Sequence, residues 1–156
     1  MSELDVRIVT LAPMRIASFH AFGPSPEPEA LKKLVDWAKP RGLLADRERH
    51  RVFGFNDPSP SPGSPNYGYQ AWITVGSEIA SDAEATVREF PGGLYAVASC
   101  RGVSRIHPTW HELGTWCEKS KYRGASHQWL EEHRSPLDPP TPQEEDDFDL
   151  YCPISG

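Results

Sequence analysis

The chain has 156 residues and a mass of 17.4 kDa, with 38% hydrophobic and 24% charged residues; this suits one domain with an ordinary core and excludes collagen-like, coiled-coil and wholly disordered chains. Sixteen Lys and Arg against 22 Asp and Glu leave a net charge of −6, with no basic surplus for nucleic acid. No apolar run approaches the roughly 20 residues of a membrane helix.

The N-terminus, MSELDVRIVTLAP, carries acids where a secretory signal carries positive charge, so a cytoplasmic chain is expected. Val6 to Leu11 and Arg15 to Phe22 are rich in β-branched and aromatic residues and predict two strands. From Glu27 to Leu44, Ala30, Leu31, Leu34, Val35, Trp37 and Ala38 recur at helical spacing after a Pro-rich start, predicting an amphipathic helix that ends near Pro40 and Gly42. Arg51 to Phe55 and Tyr69 to Val75 read as strands. Eleven of the 16 prolines fall in three tracts, at 23–28, 57–65 and 136–142, and mark stiff loops between ordered elements.

The second half repeats the first. An offset of 79 residues places Gly23 on Gly102, Ala17 on Ala96, Leu34 on Leu113 and Trp37 on Trp116. Leu94 to Cys100, Pro108 to Tyr122, His127 to His133 and Phe148 to Ile154 follow as strand, helix, strand and strand. The expected fold is α+β: one domain over 1–156, a tandem duplication of a βαββ unit (repeats about 6–76 and 86–155) with pseudo-two-fold symmetry. It predicts an antiparallel sheet, two main helices and a central ligand cleft where the halves meet.

Cys100, Cys117 and Cys152 are odd in number and lack CxxC spacing, which predicts reduced, mostly buried thiols rather than a disulfide framework or zinc site. His107 and His111, four apart, place no third metal ligand by spacing. No metal and no cofactor are expected. In His127-Gln-Trp-Leu-Glu-Glu-His133, alternation puts Trp129, Glu131 and His133 on one face and Leu130 and Glu132 on the other. A carboxyl desolvated beside an aromatic ring has a raised pKa, suited to proton transfer or to a cationic ligand. Tyr67, Tyr69, Trp72, Trp110, Trp116 and Trp129 supply flat surfaces for a cleft, although Tyr69 and Trp72 fall on opposite faces of a regular strand and Trp116 reads as packing.

Gly68-Tyr-Gln-Ala-Trp-Ile-Thr-Val75, Gly93-Leu-Tyr-Ala-Val97, the helix 110–120, Trp129-Leu-Glu-Glu-His133 and Asp149-Leu-Tyr-Cys-Pro-Ile154 together resemble the GyrI-like, or AraC-type effector-binding, domain. The resemblance runs from Val6 to Ile154. It implies two βαββ units around a cleft for hydrophobic, often cationic, aromatic compounds, with Glu131 as the pocket glutamate. His133 stands where the family usually has Tyr, and Gln70 where many relatives have Glu. Trp72, Trp110, Trp129, Tyr67 and His133 are the implied ligand-binding residues. The chain resembles a stand-alone version without a DNA-binding domain, monomeric or homodimeric, whose partner is a small molecule. Its Tyr-Gly-Tyr-x-x-Trp segment at 67–72 and its Trp129–His133 segment are similar to a group that hydrolyses cyclopropane-bearing DNA alkylators. That similarity implies a second reading, a detoxifying hydrolase with Glu131 and Tyr69 as the catalytic residues.

Overall fold

The computed structural model describes residues 4–156. In chain order they form β1 (Val6–Leu11), β2 (Met14–Gly23), α1 (Pro26–Ala38), β3 (Val52–Asn56), β4 (Tyr67–Thr74), β5 (Thr86–Phe90), β6 (Gly93–Arg101), α2 (Ile106–Lys119), β7 (Arg123–Gly124), β8 (Leu130–His133) and β9 (Asp147–Ser155). Eight strands make one curled antiparallel sheet in the order β1-β6-β9-β8-β3-β4-β2-β5, and the short β7 pairs with β9.

This order is a palindrome. Matching β1 with β5, β2 with β6, β3 with β8 and β4 with β9 reverses the sheet onto itself. Register gives the 79-residue offset seen in the sequence, since the pair Ile16–Thr74 corresponds to Tyr95–Pro153. At the central strands the offset shortens to 77, because Phe53–Trp72 corresponds to Leu130–Tyr151. Gly54 and Glu131 are therefore equivalent residues, and they are also cross-strand partners. The pseudo-two-fold axis passes between them. One half places the smallest residue there and the other places a carboxylate.

Strand alternation divides the core into layers. On one face Leu11 and Phe90, Ile16 and Tyr95, Phe53 and Leu130, and Trp72 and Tyr151 pack together as symmetry-equivalent pairs. On the other face α1 covers Phe19, Tyr69 and Ile73, while α2 covers Ala96, Leu150, Cys152 and Ile154. The two helices leave the central strands β3 and β8 open between them, and that gap is the cleft.

α1 begins with Pro26, whose missing N–H costs nothing in a first turn, and has Glu27 and Glu29 at its positive end. It buries Ala30, Leu31, Leu34, Trp37 and Ala38 in one stripe. Pro40 cannot continue the ladder, so the α-helix gives way to 3₁₀ turns around Gly42, at φ +71°. The expected helix was thus longer than the observed one. α2 buries only Thr109 and Leu113 completely. Its less covered side, with His107 and Trp110, faces the gap. It starts and ends earlier than its periodicity suggested.

Two strands were not anticipated. β5 is an edge strand whose only buried residue is Phe90, so it carries no alternation signal; β7 has two residues. The strand expected from His127 begins only at Leu130. Side-chain bonds hold the preceding residues beside β6 instead: the His127 ring meets the Leu94 carbonyl at 2.8 Å and the Tyr95 hydroxyl donates to the Gln128 carbonyl at 2.5 Å. Among the described residues no helix is long and apolar enough to cross a membrane.

Candidate functional site

The cleft has two lobes that share Asn56, Trp110 and Glu131. The narrower, about 220 Å³, runs over Gly54 and Phe55 to Gln128 and Trp129. The wider, about 460 Å³, lies between Glu27 and Pro28 of α1 and Ile106 and His107 of α2. Among the described lining residues there is no Lys or Arg. Glu131 and Glu27 thus make the cleft anionic. Trp110 and Trp129 meet edge to face above it, with ring centroids 5.4 Å apart, and Trp129 remains 45% exposed.

Alternation along β8 holds: Leu130 and Glu132 point away from the cleft and Glu131 into it, while His133, expected to bind ligand, is 4% exposed, lies beneath the floor and lines neither lobe. The Tyr69 hydroxyl donates to Glu131 Oε1 at 2.5 Å and meets His133 Nε2 at 2.8 Å. Burial and the Arg47 guanidinium push His133 down to about 3, so at neutral pH its ring is uncharged. A phenol has one proton to give; with Glu131 ionised, His133 carries its hydrogen on Nε2 and donates to the Tyr69 oxygen. Desolvation pushes Glu131 up to about 7, against the hydrogen bonds from Tyr69 and Trp110 and helped by the charge of Glu27. Tyr69, wholly buried, is itself pushed well above the usual phenol range by burial and by Glu131.

Gly54 makes this contact geometrically feasible. A Cβ there would collide with the Tyr69 hydroxyl, so the phenol reaches Glu131 across the space the missing side chain leaves.

The other expected residues divide. Trp110 and Trp129 line the cleft. Tyr67 stands behind its rim, its hydroxyl donating to both Glu27 carboxylate oxygens at 2.9 Å. Trp72 is a correction: it is 1% exposed and packs against Phe55 and Phe90 on the far side of the sheet, because it lies three residues from Tyr69 on a strand without a bulge. Trp72→Phe is therefore expected to cost about 1–3 kcal/mol of stability, read by thermal unfolding, and to leave the ¹³C-NMR titration of the Glu131 carboxyl unmoved. Glu132, on the same far side, is neutralised by Arg51 through two 2.9 Å contacts and accepts a hydrogen bond from the Tyr151 hydroxyl at 2.7 Å.

Sequence reasoning missed Glu27, Asn56, Gly54 and Ile106, and weighed His107 only as half of a metal pair with His111. Glu27 reads as an ordinary first-turn acid and Gly54 as a strand interruption; only the pairing of β3 with β8 gives either a place in the site. His107 and His111 have rings 6.2 Å apart, and among the described residues no three His, Cys, Asp or Glu side chains are arranged to hold a metal ion.

The family model described as "Cass2: Integron-associated effector binding protein" matches residues 7–154. No curated protein matches the chain by sequence. Among solved structures, a hydrolase from Listeria innocua superposes with a TM-score of 0.68 at 11% identity, over 99% of this chain and 94% of that one. The EcmrR C-terminal domain gives 0.68 at 10% identity over 97% and 98% of the two chains. SAV2435, solved with tetraphenylphosphonium bound, gives 0.59 at 14% identity over 98% and 95%. At these identities the likeness is one of fold.

Proposed function

The chain belongs to the integron-associated effector binding protein family, and from that premise we propose that its central cleft binds hydrophobic, aromatic cations through Glu131. The carrying observation is the position of Glu131 at the junction of both lobes, beneath two indoles, in a cleft with a second carboxylate and no lining Lys or Arg. Indole faces attract a delocalised cation, and the carboxylate supplies the charge a bare aromatic box lacks. The tetraphenylphosphonium bound to SAV2435 is a ligand of this chemistry on the same fold.

Tetraphenylphosphonium titrated by calorimetry tests the reading. A cation binds the ionised carboxylate, and Glu131 in the free protein is half ionised near pH 7. Affinity is expected to be about tenfold weaker at pH 6 than at pH 8, following the ionised fraction. A flat profile across that range would remove Glu131 from the binding step.

A second reading is favoured by the same carboxyl, whose pKa lies close to working pH, where a general acid or base is most effective. In this reading the chain is a hydrolase of cyclopropane-bearing DNA alkylators. Glu131 takes a proton from a water as its oxygen attacks a ring carbon; the breaking C–C bond sends its electrons into the conjugated carbonyl, which takes up a proton and becomes a phenol. Tyr69, which is buried and gives its one proton to Glu131, positions that carboxyl in this reading and does not reach the substrate carbonyl expected of it from the sequence. A product heavier by one water that accumulates beyond one equivalent of protein, and not with Glu131→Gln, would make the chain an enzyme. Binding without turnover would leave it an effector-binding module for that compound.

A further inference from the structure

Away from the cleft floor, Cys117 of α2 and Cys152 of β9 lie with their sulfurs 3.3 Å apart. They are 35 residues apart in sequence and belong to the two layers that enclose the core under α2. A hollow of about 400 Å³ opens onto both, lined also by Gly114, Tyr122, Pro153 and Trp129. Cys117 is partly exposed at this hollow and Cys152 is buried behind it. Neither thiol is used by the proposed binding site, and Cys100 takes no part in their contact.

We propose that Cys117 and Cys152 are a modification site, a dithiol that hydroperoxides oxidise to an intramolecular disulfide joining α2 to β9. The contact distance means that the two side chains already point at each other, so the bond forms with small side-chain movement. The exposed partner meets the oxidant and the buried one resolves it, an arrangement in which only Cys117 needs access to solvent. The Cys117 thiolate attacks one peroxide oxygen; the O–O bond breaks, and the leaving oxygen departs as water (or as an alcohol from an alkyl peroxide), leaving a sulfenic acid. The Cys152 sulfur then attacks the Cys117 sulfur, the S–O bond breaks, and the hydroxide leaves with the Cys152 proton as a second water. Two thiols are oxidised and one peroxide is reduced. Burial pushes both thiols above their ordinary range, which makes the first step slow and spares the pair from weak oxidants. The crosslink fixes the helix that carries Ile106, His107 and Trp110, one wall of the cleft.

The test is to treat the purified protein with hydrogen peroxide at pH 8 and follow intact mass, thiol count and melting temperature. The expected product is monomeric, lighter by two hydrogens, and keeps one of its three thiols open to alkylation, at Cys100. Peptide mapping should give a Cys117–Cys152 crosslink, and the melting temperature should rise by on the order of 5–10 °C until a reductant restores it. Cys100→Ser should behave as wild type, while Cys117→Ser and Cys152→Ser, each a near-isosteric change, should lose the mass shift. Added oxygens without loss of two hydrogens, a crosslink through Cys100, or a disulfide between two chains would overturn the proposal.

Discussion

Glu131→Gln is expected to lose affinity for tetraphenylphosphonium by roughly 10–100-fold at pH 8, and yet to unfold at a higher temperature than the wild type. The loss follows from removing the charge that a desolvated cation would pair with. The gain follows from linkage. Folding raises the Glu131 pKa from its ordinary 4.5 to about 7, so between these values the folded chain holds a proton that the unfolded chain has released. Stability therefore falls as pH rises through that window, and above pH 7 the ionised carboxylate costs on the order of 3 kcal/mol. A neutral amide avoids that cost and keeps a bond with Tyr69.

His133 acts in the opposite sense. Its pKa falls from 6.5 to about 3, so its contribution is lost as pH drops from 6.5 toward 3. In the wild type the two slopes offset each other between about pH 4.5 and 6.5. In the variant only the His133 slope remains, so its stability should climb through that window. Calorimetry of binding and of unfolding at pH 5, 6.5 and 8 checks both halves. Unchanged affinity would end the role of Glu131, and a variant that melts lower at pH 8 would show that its carboxylate is not desolvated.

Gly54→Val is expected to damage both the fold and the site. Any Cβ at this position lands on the Tyr69 phenol, and Tyr69 is buried among α1 and β4 side chains with nowhere to withdraw. Overpacking of this kind costs about 1–3 kcal/mol. The ring can move only by leaving Glu131 and His133. Glu131 then loses a hydrogen bond that favours its ionised form, so its pKa should rise further above 7 and cation affinity at pH 7 should drop more than tenfold. The rise is read directly by ¹³C-NMR titration of the carboxyl. Gly114→Ala is the control, because a Cβ there meets nothing within 4 Å inside α2 and should raise stability by about 0.5–1 kcal/mol. If Gly54→Val leaves the Glu131 titration in place, the Tyr69 contact does not tune it.

Much of the architecture was legible because it rests on short-range periodicity. The helical recurrence of Ala30, Leu34 and Trp37 reports one buried face, the β-branched run of Val6 to Leu11 reports a strand, and the internal match of Gly23 with Gly102 reports the duplication. Glu131 could be singled out because an acid beside Trp129 in a strand-like run is costly unless it has a use. β5 stayed hidden because an edge strand with one buried residue has no pattern to read.

Composition, periodicity and the 79-residue repeat by themselves determined an acidic α+β chain of two βαββ units, and the family resemblance added Glu131 as its pocket carboxyl. Which aromatic rings surround that carboxyl was decided by tertiary structure alone. Alternation already separates Tyr69 from Trp72, but only the sheet decides which of them lies on the cleft side and which in the far core. The pairing of β3 with β8 set Gly54 opposite Glu131, and the loose packing of α2 left Trp110 facing the gap. A sequence records which residues alternate or recur along one element. Which strand lies beside it, and in what register, depends on closing loops of tens of residues and burying both halves at once, so no local pattern carries it.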